Sequence, residues 1–188
     1  LTFMRDENPS RFVKTLNEKG YNDILIIDSL EQDDRWNNLV TKRFRGIEHP
    51  EVFKRKCSEG QYDASDISAL IHLGACSSTT ERNAEYLLEN NYRYSMAMAT
   101  FAMSREIPFI YASSAATYGG GEKGYDDVSS IGLRPLNMYG YSKQLFDEWM
   151  IDNGYESSAI GIKFFNVFGP NEYHKGDMAS MIYKSWKQ

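Results

Sequence analysis

The sequence predicts an α/β fold, a Rossmann-like doubly wound parallel sheet, and two observations lead to that prediction. Short apolar runs of strand length alternate with longer amphipathic stretches, a pattern typical of the β-α-β units that build parallel sheets. The apolar run Ile107–Ala112 leads directly into Ser113 and Ser114, and a helix carrying Tyr139 and Lys143 follows. Because ligands bind at the carboxyl ends of strands in open α/β sheets, this order predicts a site there.

The first half of the chain supplies the opening elements of this pattern. Residues Phe12 to Lys19 are predicted to form a helix that ends at Gly20, since glycine readily adopts the left-handed conformation that follows a helix. The stretch after the first strand is polar and mixed, without a clear period. The remaining predicted elements are two buried strands and a short helix, at Asp23–Asp28, Ala69–Leu73 and Val52–Cys57 respectively.

The second half begins with a helix-start signal. Ser78 and Glu81 have the spacing of a capping box, which predicts a long helix that continues to about Ser104. The elements predicted after it are a strand at 107–112, a Gly-rich polar loop at 119–134, a helix at Leu136–Asn153 and a strand at Ser158–Phe164.

Length and composition restrict the class of protein. A chain of 188 residues predicts one domain, and its net charge of −5, with mixed signs and no basic stripe, argues against a nucleic-acid partner. Only two cysteines occur, Cys57 and Cys76, which favours a reducing compartment and argues against a disulfide framework. No apolar run reaches membrane-spanning length. We therefore expect a soluble cytoplasmic protein, and no metal, because His72 and His174 lack ligands at metal spacing.

Tyr139 and Lys143 are the strongest candidates for chemistry. Residues at i and i+4 share a helical face, so the phenol and the ammonium can meet one substrate atom. A cation beside a phenol lowers a pKa that is about 10 when unperturbed, which suits acid–base work near neutral pH. Ser114 would supply a third polar contact, whereas Tyr141 faces elsewhere. By itself, the Tyr–Lys spacing also fits an exposed helical face.

Four longer segments carry a resemblance to a known family. They are His72–Glu81, Ala112–Gly120, Pro135–Lys143 and Phe164–Pro170, the last continuing through His174–Gly176. In these segments the chain resembles the extended short-chain dehydrogenase/reductases, and among them the ADP-L-glycero-D-manno-heptose 6-epimerase family, from about Arg11 onwards. The resemblance implies epimerisation at C6 of ADP-D-glycero-D-manno-heptose, a lipopolysaccharide precursor, through transient oxidation and reduction by NADP.

The position of two residues indicates how a cofactor would be held. Asp28 ends the first predicted strand, where a dinucleotide fold places an acid on the ribose, and Arg35 is suited to a 2′-phosphate, which favours NADP while NAD remains possible. The alternative for Asp28 is an aspartate that caps a loop, and the alternative for Arg35 is a solvated loop arginine. Gly74 also fits a plain turn. The cofactor contacts that the resemblance implies are Asp28, Ser29, Arg35, Leu73, Gly74, Ala75, Cys76, Ser77, Asn90, Lys143 and Val167.

The resemblance also assigns catalytic and substrate roles. Catalytic residues would be Tyr139, Lys143 and Ser114, with Lys175 as a second acid–base group opposite Tyr139. The substrate contacts would be Ser114, Asn166, Lys175 and Asp177. An exposed loop lysine is the alternative for Lys175, and Asp177 stands where some relatives have serine.

Both ends of the chain differ from a complete member of the family. Residues 1–10 contain no glycine and no apolar strand, so we expect the first strand and its Gly-rich loop to be lacking. We expect residues 11–180 to form a partial dinucleotide-binding domain and residues 181–188 to begin a truncated substrate lobe. The full-length protein would be a homo-oligomer. The alternatives are another nucleotide-sugar epimerase or dehydratase, although Ala115 and Ala116 disfavour a 4,6-dehydratase, or a non-catalytic fragment.

Overall fold

A computed structural model describes residues 2–3, 9–30, 34–169, 172 and 179–187, with the main chain alone for Thr2, Phe3, Pro9 and Arg35. The strands are β1 (Thr2–Phe3), β2 (Leu25–Ile27), β3 (Gly46–Glu48), β4 (Leu70–His72), β5 (Phe109–Ser114) and β6 (Ala159–Phe164). The α-helices are α1 (Pro9–Glu18), α2 (Pro50–Ser58), α3 (Ala84–Leu87), α4 (Tyr94–Met103), α5 (Met138–Asp152) and α6 (Met181–Lys187). A π-helical segment (Leu88–Arg93) joins α3 to α4, and 3-10 helices lie at Asp34–Leu39 and Ala115–Tyr118.

The described strands form one parallel sheet in the order β3-β2-β1-β4-β5-β6. This is the order of a dinucleotide-binding sheet, in which the chain direction across the sheet reverses beside β1. The predicted α/β fold class is confirmed. The carboxyl ends of β2, β4 and β5 therefore share one edge of the sheet.

The central strand corrects one detail of the prediction. The first strand was expected to be lacking, yet Thr2 and Phe3 form β1, which pairs in parallel with both β2 and β4. A strand of two residues is too short to show an apolar run in the sequence. Its place in the sheet comes from its hydrogen bonding to a strand on each side. The sequence still has no glycine before Gly20, and residues 4–8 lie outside the described part.

The polar stretch between β2 and α2 also holds regular structure that the sequence pattern did not indicate. It contains the first 3-10 helix and β3, whose register is set by Leu25 opposite Gly46. Strand β3 has three residues, none of them buried, so it lacks the apolar alternation that would reveal a strand.

The long helix begins later than the capping-box pattern predicted. Ser78 and Glu81 do not cap it: Glu81 Oε1 accepts from the Asn83 main-chain N–H at 2.7 Å. Asn83 is the N-cap, because its side chain accepts from the Tyr86 N–H at 3.1 Å. Asn83 caps the helix because its side-chain oxygen accepts directly from a main-chain N–H in the first turn.

Apolar side chains cover both faces of the sheet. Leu25 and Ile27 belong to the larger cluster, which contains residues from α2, α4 and α5, while Ile24 and Ile26 face the opposite way and contact Val13 of α1. Alternation along β2 thus supplies two cores, as a doubly wound sheet requires. Among the helices described, none combines the length and apolar character needed to cross a membrane.

Candidate active site

Ser114 lies at the carboxyl end of β5, where the sequence predicted it. It is buried, and its Oγ accepts from the Ala116 N–H at 3.1 Å, which starts the second 3-10 helix. The strand extends through Ser114 itself, farther than the apolar run indicated. The hydroxyl is therefore held at the sheet edge by both a strand and a turn.

Tyr139 and Lys143 lie in the first turns of α5, and both are buried. Asn137 caps this helix: its Oδ1 accepts from the Gly140 N–H at 2.8 Å. The Lys143 Nζ donates to the Ala112 carbonyl at 2.9 Å, which puts the ammonium beside the end of β5. Burial decides between the two interpretations of the spacing, because an exposed helical face would leave both side chains in water.

Gly140 allows the close approach of α5 to the turn after β5. A Cβ atom at this position would lie 2.7 Å from the Ala116 carbonyl oxygen and 3.0 Å from the Pro135 Cβ. Contacts that short require a shift of the main chain, so the approach depends on glycine. Tyr139 and Ser114 are brought to the same edge by this contact.

The ring of Tyr139 also contacts the segment that follows β4. It packs with Cys76 and Leu87 in a small apolar cluster. Gly74, Ala75 and Cys76 are buried, whereas Leu73 and Ser77 are half-buried. The predicted cofactor segment and the predicted catalytic tyrosine are thus in contact.

A buried asparagine on the π-helical segment holds Cys76 through its main chain. The Asn91 Oδ1 accepts from the Cys76 N–H at 2.8 Å, and the Asn91 Nδ2 donates to the Cys76 carbonyl at 3.0 Å. The same Nδ2 donates to the Ser142 Oγ at 3.0 Å. Sequence reasoning missed Asn91, although two consecutive asparagines in an apolar helix are an unusual signal.

At the end of β2, Asp28 is engaged with its own turn. Its Oδ1 accepts from the main-chain N–H groups of Ser29 (2.7 Å) and Leu30 (3.4 Å), and Leu30 has a positive φ of 48°. This is the capping role left open by the sequence, and the ribose contact stays a prediction. The Arg35 side chain lies outside the described part, so its phosphate contact also stays a prediction.

The other predicted contacts differ in how near they come to this edge. The Asn90 Nδ2 donates to the carbonyl of Tyr86 in its own helix at 2.7 Å. Asn166 and Val167 follow β6 and are exposed; because Phe164 pairs with Ser114, they lie beyond the same edge. Lys175 and Asp177 lie outside the described residues.

A second buried polar network supports β5 from the α5 side. The Lys163 Nζ donates to Asp147 Oδ2 at 2.6 Å and to Thr117 Oγ1 at 2.8 Å, and the Ser113 hydroxyl donates to the same Asp147 oxygen at 2.7 Å. Asp147 is 3 % exposed. No local sequence pattern predicts this network, because its members are far apart along the chain.

The side chains at this edge suit a nicotinamide dinucleotide in part. A carboxylate at the end of β2, small residues after β4 and an amine–phenol pair on α5 match the two nucleoside ends of such a molecule. The pyrophosphate is usually held by a Gly-rich loop, and residues 1–19 contain no glycine. Within the part of the chain that the structure describes, no cluster of three His, Cys, Asp or Glu side chains could hold a metal ion.

Comparison with known proteins agrees with this geometry. The model of the NAD dependent epimerase/dehydratase family matches residues 10–188. The chain is 48% identical over 181 residues to an ADP-L-glycero-D-manno-heptose-6-epimerase of Nitratidesulfovibrio vulgaris, and 46% identical over 186 residues to one of Fusobacterium nucleatum. Each match covers 95% of this chain, but only 56% of the first relative and 55% of the second. The chain thus spans about half the length of the curated relatives it matches.

Solved structures show the same fold. An ADP-L-glycero-D-manno-heptose-6-epimerase of Helicobacter pylori matches with a TM-score of 0.76 at 23% identity, covering 97% of this chain and 60% of that one. A UDP-glucose 4-epimerase of Brucella ovis in complex with NAD matches with a TM-score of 0.68 at 20% identity, covering 89% of this chain and 52% of that one. With its sheet order, its buried Tyr–Lys pair and the family match over most of its length, the chain belongs to the NAD dependent epimerase/dehydratase family.

Proposed function

We propose that this protein epimerises C6 of the heptose in ADP-D-glycero-D-manno-heptose, giving the L-glycero form by NADP-dependent oxidation and reduction. The observation that carries the proposal is the burial of Ser114, Tyr139 and Lys143 at one sheet edge. The names of the relatives at 46% and 48% identity favour the heptose substrate. The reaction would supply a lipopolysaccharide precursor.

The chemistry of the proposal is an acid–base cycle on the sugar. A bound nicotinamide dinucleotide would supply reversible hydride transfer. Tyr139, as phenolate, takes the proton of the C6 hydroxyl when the ketone forms, and returns a proton to the oxygen when the alcohol is restored. A ketone at C6 is flat, so either configuration can result once the sugar has reoriented.

Two neighbours prepare Tyr139 for this work. The Lys143 ammonium beside the end of β5 favours the phenolate over the phenol, because an adjacent cation stabilises the charged form. The Ser114 hydroxyl steadies the substrate oxygen by hydrogen bonding. We also assign to Lys143 a hydrogen bond to the nicotinamide ribose.

We propose Lys175 as a second proton-transfer group on the opposite side of the sugar. An epimerase that reduces the ketone on either face benefits from a donor on each side. Asn166, which lies beyond the same sheet edge as Ser114, and Asp177 would bind the substrate. Residues 11–180 would serve as the dinucleotide-binding unit together with β1, which lies in the segment 1–10 outside the resemblance, and α6 would begin the substrate lobe at 181–188.

We infer that NADP is preferred to NAD because a guanidinium at Arg35 suits a 2′-phosphate. Asp28, Ser29, Asn90, Val167 and the 73–77 segment would line the same cofactor. We also propose that the protein is a homo-oligomer in the cytoplasm, where its two thiols, Cys57 and Cys76, remain reduced.

The experiment is a pair of measurements on this chain. Titration with NADPH and NADH, followed by nicotinamide fluorescence, is expected to show binding with NADPH bound more tightly. An assay with ADP-D-glycero-D-manno-heptose is then expected to show turnover that Tyr139→Phe lowers by about 10²–10⁴-fold, the usual contribution of a positioned acid–base group. NADPH binding by Tyr139→Phe should be retained.

The matched control is Tyr141→Phe, which removes a phenol from the same helix at an exposed position. It should keep its turnover. Lys175→Met should impair epimerisation, and an unaffected rate would refute the second proton-transfer group. If the chain bound neither dinucleotide, or if Tyr139→Phe turned over normally, the proposed mechanism would be wrong.

A further inference from the structure

The main chain of Ser114 is held by a threonine in the turn that follows β5. Thr117 lies in the second 3-10 helix and is fully buried. Its hydroxyl donates to the Ser114 carbonyl at 2.8 Å, while the Ser114 Oγ accepts from the Ala116 N–H at 3.1 Å. One short turn therefore fixes both the main chain and the side chain of the proposed substrate contact.

The Thr117 hydroxyl is in turn held by a charged group. The Lys163 Nζ donates to the Thr117 Oγ1 at 2.8 Å. A hydroxyl has one proton, and Thr117 uses it on the Ser114 carbonyl, so its oxygen is the acceptor for the ammonium. Because successive hydrogen bonds polarise one another, the positive charge strengthens the bond from Thr117 to Ser114. The bonds thus run in one direction, from Lys163 through Thr117 to Ser114.

The lysine has partners of its own that fix its ammonium. Asp147 of α5 accepts from the Lys163 Nζ at 2.6 Å, and the centroid of the Tyr118 ring lies 5.2 Å from this nitrogen. The same Asp147 oxygen accepts from the Ser113 hydroxyl at 2.7 Å. Ser113 pairs with Lys163 in the ladder between β5 and β6, so both side chains lie on the same face of the sheet. The chain is thus held on both sides of Ser114.

We propose that Thr117 is a positioning residue that sets Ser114 for the substrate, with Lys163 and Asp147 as its support. The inference rests on the proposed function, in which the Ser114 hydroxyl steadies the substrate oxygen. Thr117 does not touch the substrate itself, because its side chain is fully buried. A misplacement of about 1 Å at a reacting centre can lower turnover by about 100-fold, so a firm support of Ser114 has a kinetic effect.

The first test follows hydrogen exchange of the Ala116 amide by NMR in the wild type, Thr117→Val and Thr117→Ser. The Ala116 N–H is bonded to the Ser114 Oγ, so its exchange reports how firmly Ser114 is held. Valine keeps the branched shape and loses the hydroxyl, and we expect exchange about tenfold faster. Serine keeps the hydroxyl, and its Ala116 amide should exchange as in the wild type. Amides of the β4–β5 ladder should change less than about twofold in both variants.

The second test is a double-variant cycle on turnover of ADP-D-glycero-D-manno-heptose. Thr117→Val should lower kcat about tenfold while KM and NADPH binding stay within about twofold, and Thr117→Ser should recover most of the kcat. In a Ser114→Ala background, Thr117→Val should cause no further loss, because its effect passes through the Ser114 hydroxyl. A merely structural role would lower kcat equally in both backgrounds.

Thr15→Val is the matched control. The Thr15 hydroxyl also donates to a main-chain carbonyl, that of Arg11 at 3.0 Å, but at an exposed position of α1. This variant should leave Ala116 exchange and kcat as in the wild type. If Thr117→Val did not fold, Thr117→Ala removes the same hydroxyl without added bulk and has the same expected results.

Two results would overturn the proposal: an unchanged Ala116 amide in Thr117→Val, or equal losses of kcat with and without the Ser114 hydroxyl. If the wild type did not turn over ADP-D-glycero-D-manno-heptose, the proposed function would fail. The exchange data would then still decide whether Thr117 holds Ser114.

Discussion

The ammonium of Lys143 is buried in the folded chain. It lies on the same helical face as Tyr139 and donates to the Ala112 carbonyl of β5 at 2.9 Å. A buried charge without a partner is costly, and this bond provides one.

His72 is a second residue whose chemistry depends on burial. Burial, with a smaller contribution from the positive charge of Lys143, lowers the pKa of His72 to about 3. The imidazole lies between aromatic rings, with the centroid of Phe109 at 6.3 Å and that of Tyr94 at 6.0 Å. The folded protein therefore holds a neutral histidine where water would allow a charged one.

This difference predicts an acid-sensitive stability. Between the unfolded pKa of about 6.5 and the folded pKa of about 3, the unfolded chain binds a proton that the folded protein does not. The free energy of unfolding should therefore fall by about 1.4 kcal/mol per pH unit as the pH drops through this window, on account of His72 alone. Urea unfolding of the wild type and of His72→Gln between pH 4 and 7 measures it.

His72→Gln is the reference for the wild type, because the glutamine amide can still donate to Ser95 and does not titrate. The carboxylates of both proteins titrate alike, so the difference between the two curves isolates the histidine. If the free energy of unfolding changed equally with pH in both proteins from pH 4 to 7, His72 would not set the acid sensitivity.

At the scale of elements, the contact between α5 and the turn after β5 depends on Gly140. A methyl group there would lie 2.7 Å from a main-chain oxygen that cannot rotate away. We expect Gly140→Ala to lower the free energy of unfolding by about 1–3 kcal/mol, the usual cost of overpacking, although alanine favours helices. Thermal or urea unfolding measures the change.

Gly46→Ala is the control for this prediction. Its added Cβ would meet only the Leu25 Cδ1, at an ordinary distance of 3.8 Å. We expect little loss of stability there. Should Gly140→Ala be as stable as the wild type, the helix can approach β5 without glycine and this account of the contact is wrong.

Elements with a strong local signal were predicted well, and those stabilised by their neighbours were not. The helix of Tyr139 and Lys143 was predicted to within a few residues, since its cap and its apolar residues are local. Strands β1 and β3 were missed because two or three residues carry no period. The π-helical segment was missed because a helix and a π-helix share nearly the same residue preferences.

At the scale of the whole molecule, Asp147 joins parts of the chain that are distant in sequence. Its carboxylate holds Lys163 of β6 and Ser113 of β5, and Lys163 also reaches Thr117. The two charges are mostly buried, with 16% and 3% of their side chains exposed. Such a pair costs desolvation energy, so removing one partner leaves an uncompensated charge.

We expect Asp147→Leu to lower the free energy of unfolding by about 3–5 kcal/mol. The double variant Asp147→Leu with Lys163→Met should be more stable than Asp147→Leu alone, because the stranded charge is gone. Urea unfolding of the three proteins measures the coupling. The exposed pair Arg55 and Glu59 is the comparison, and Glu59→Gln should cost less than about 1 kcal/mol.

If the double variant were no more stable than Asp147→Leu, the loss of stability would come from lost packing and not from an unpaired buried charge.

No sequence pattern indicated this network, because neither charge has its partner within one helix or one strand. The overall fold, by contrast, followed from the alternation of strands and helices, which is repeated along the whole chain.

The two-residue strand β1 has a consequence for the mechanics of the sheet. Within the described sheet, β3 and β2 form one group and β4, β5 and β6 another, and only Thr2 and Phe3 pair with both. Among the residues that the structure describes, the narrowest hydrogen-bonded seam thus runs through the middle of the sheet and beneath the crevice of the fold. A molecule bridging that seam would clamp the two groups together, so binding and resistance to unfolding would rise together.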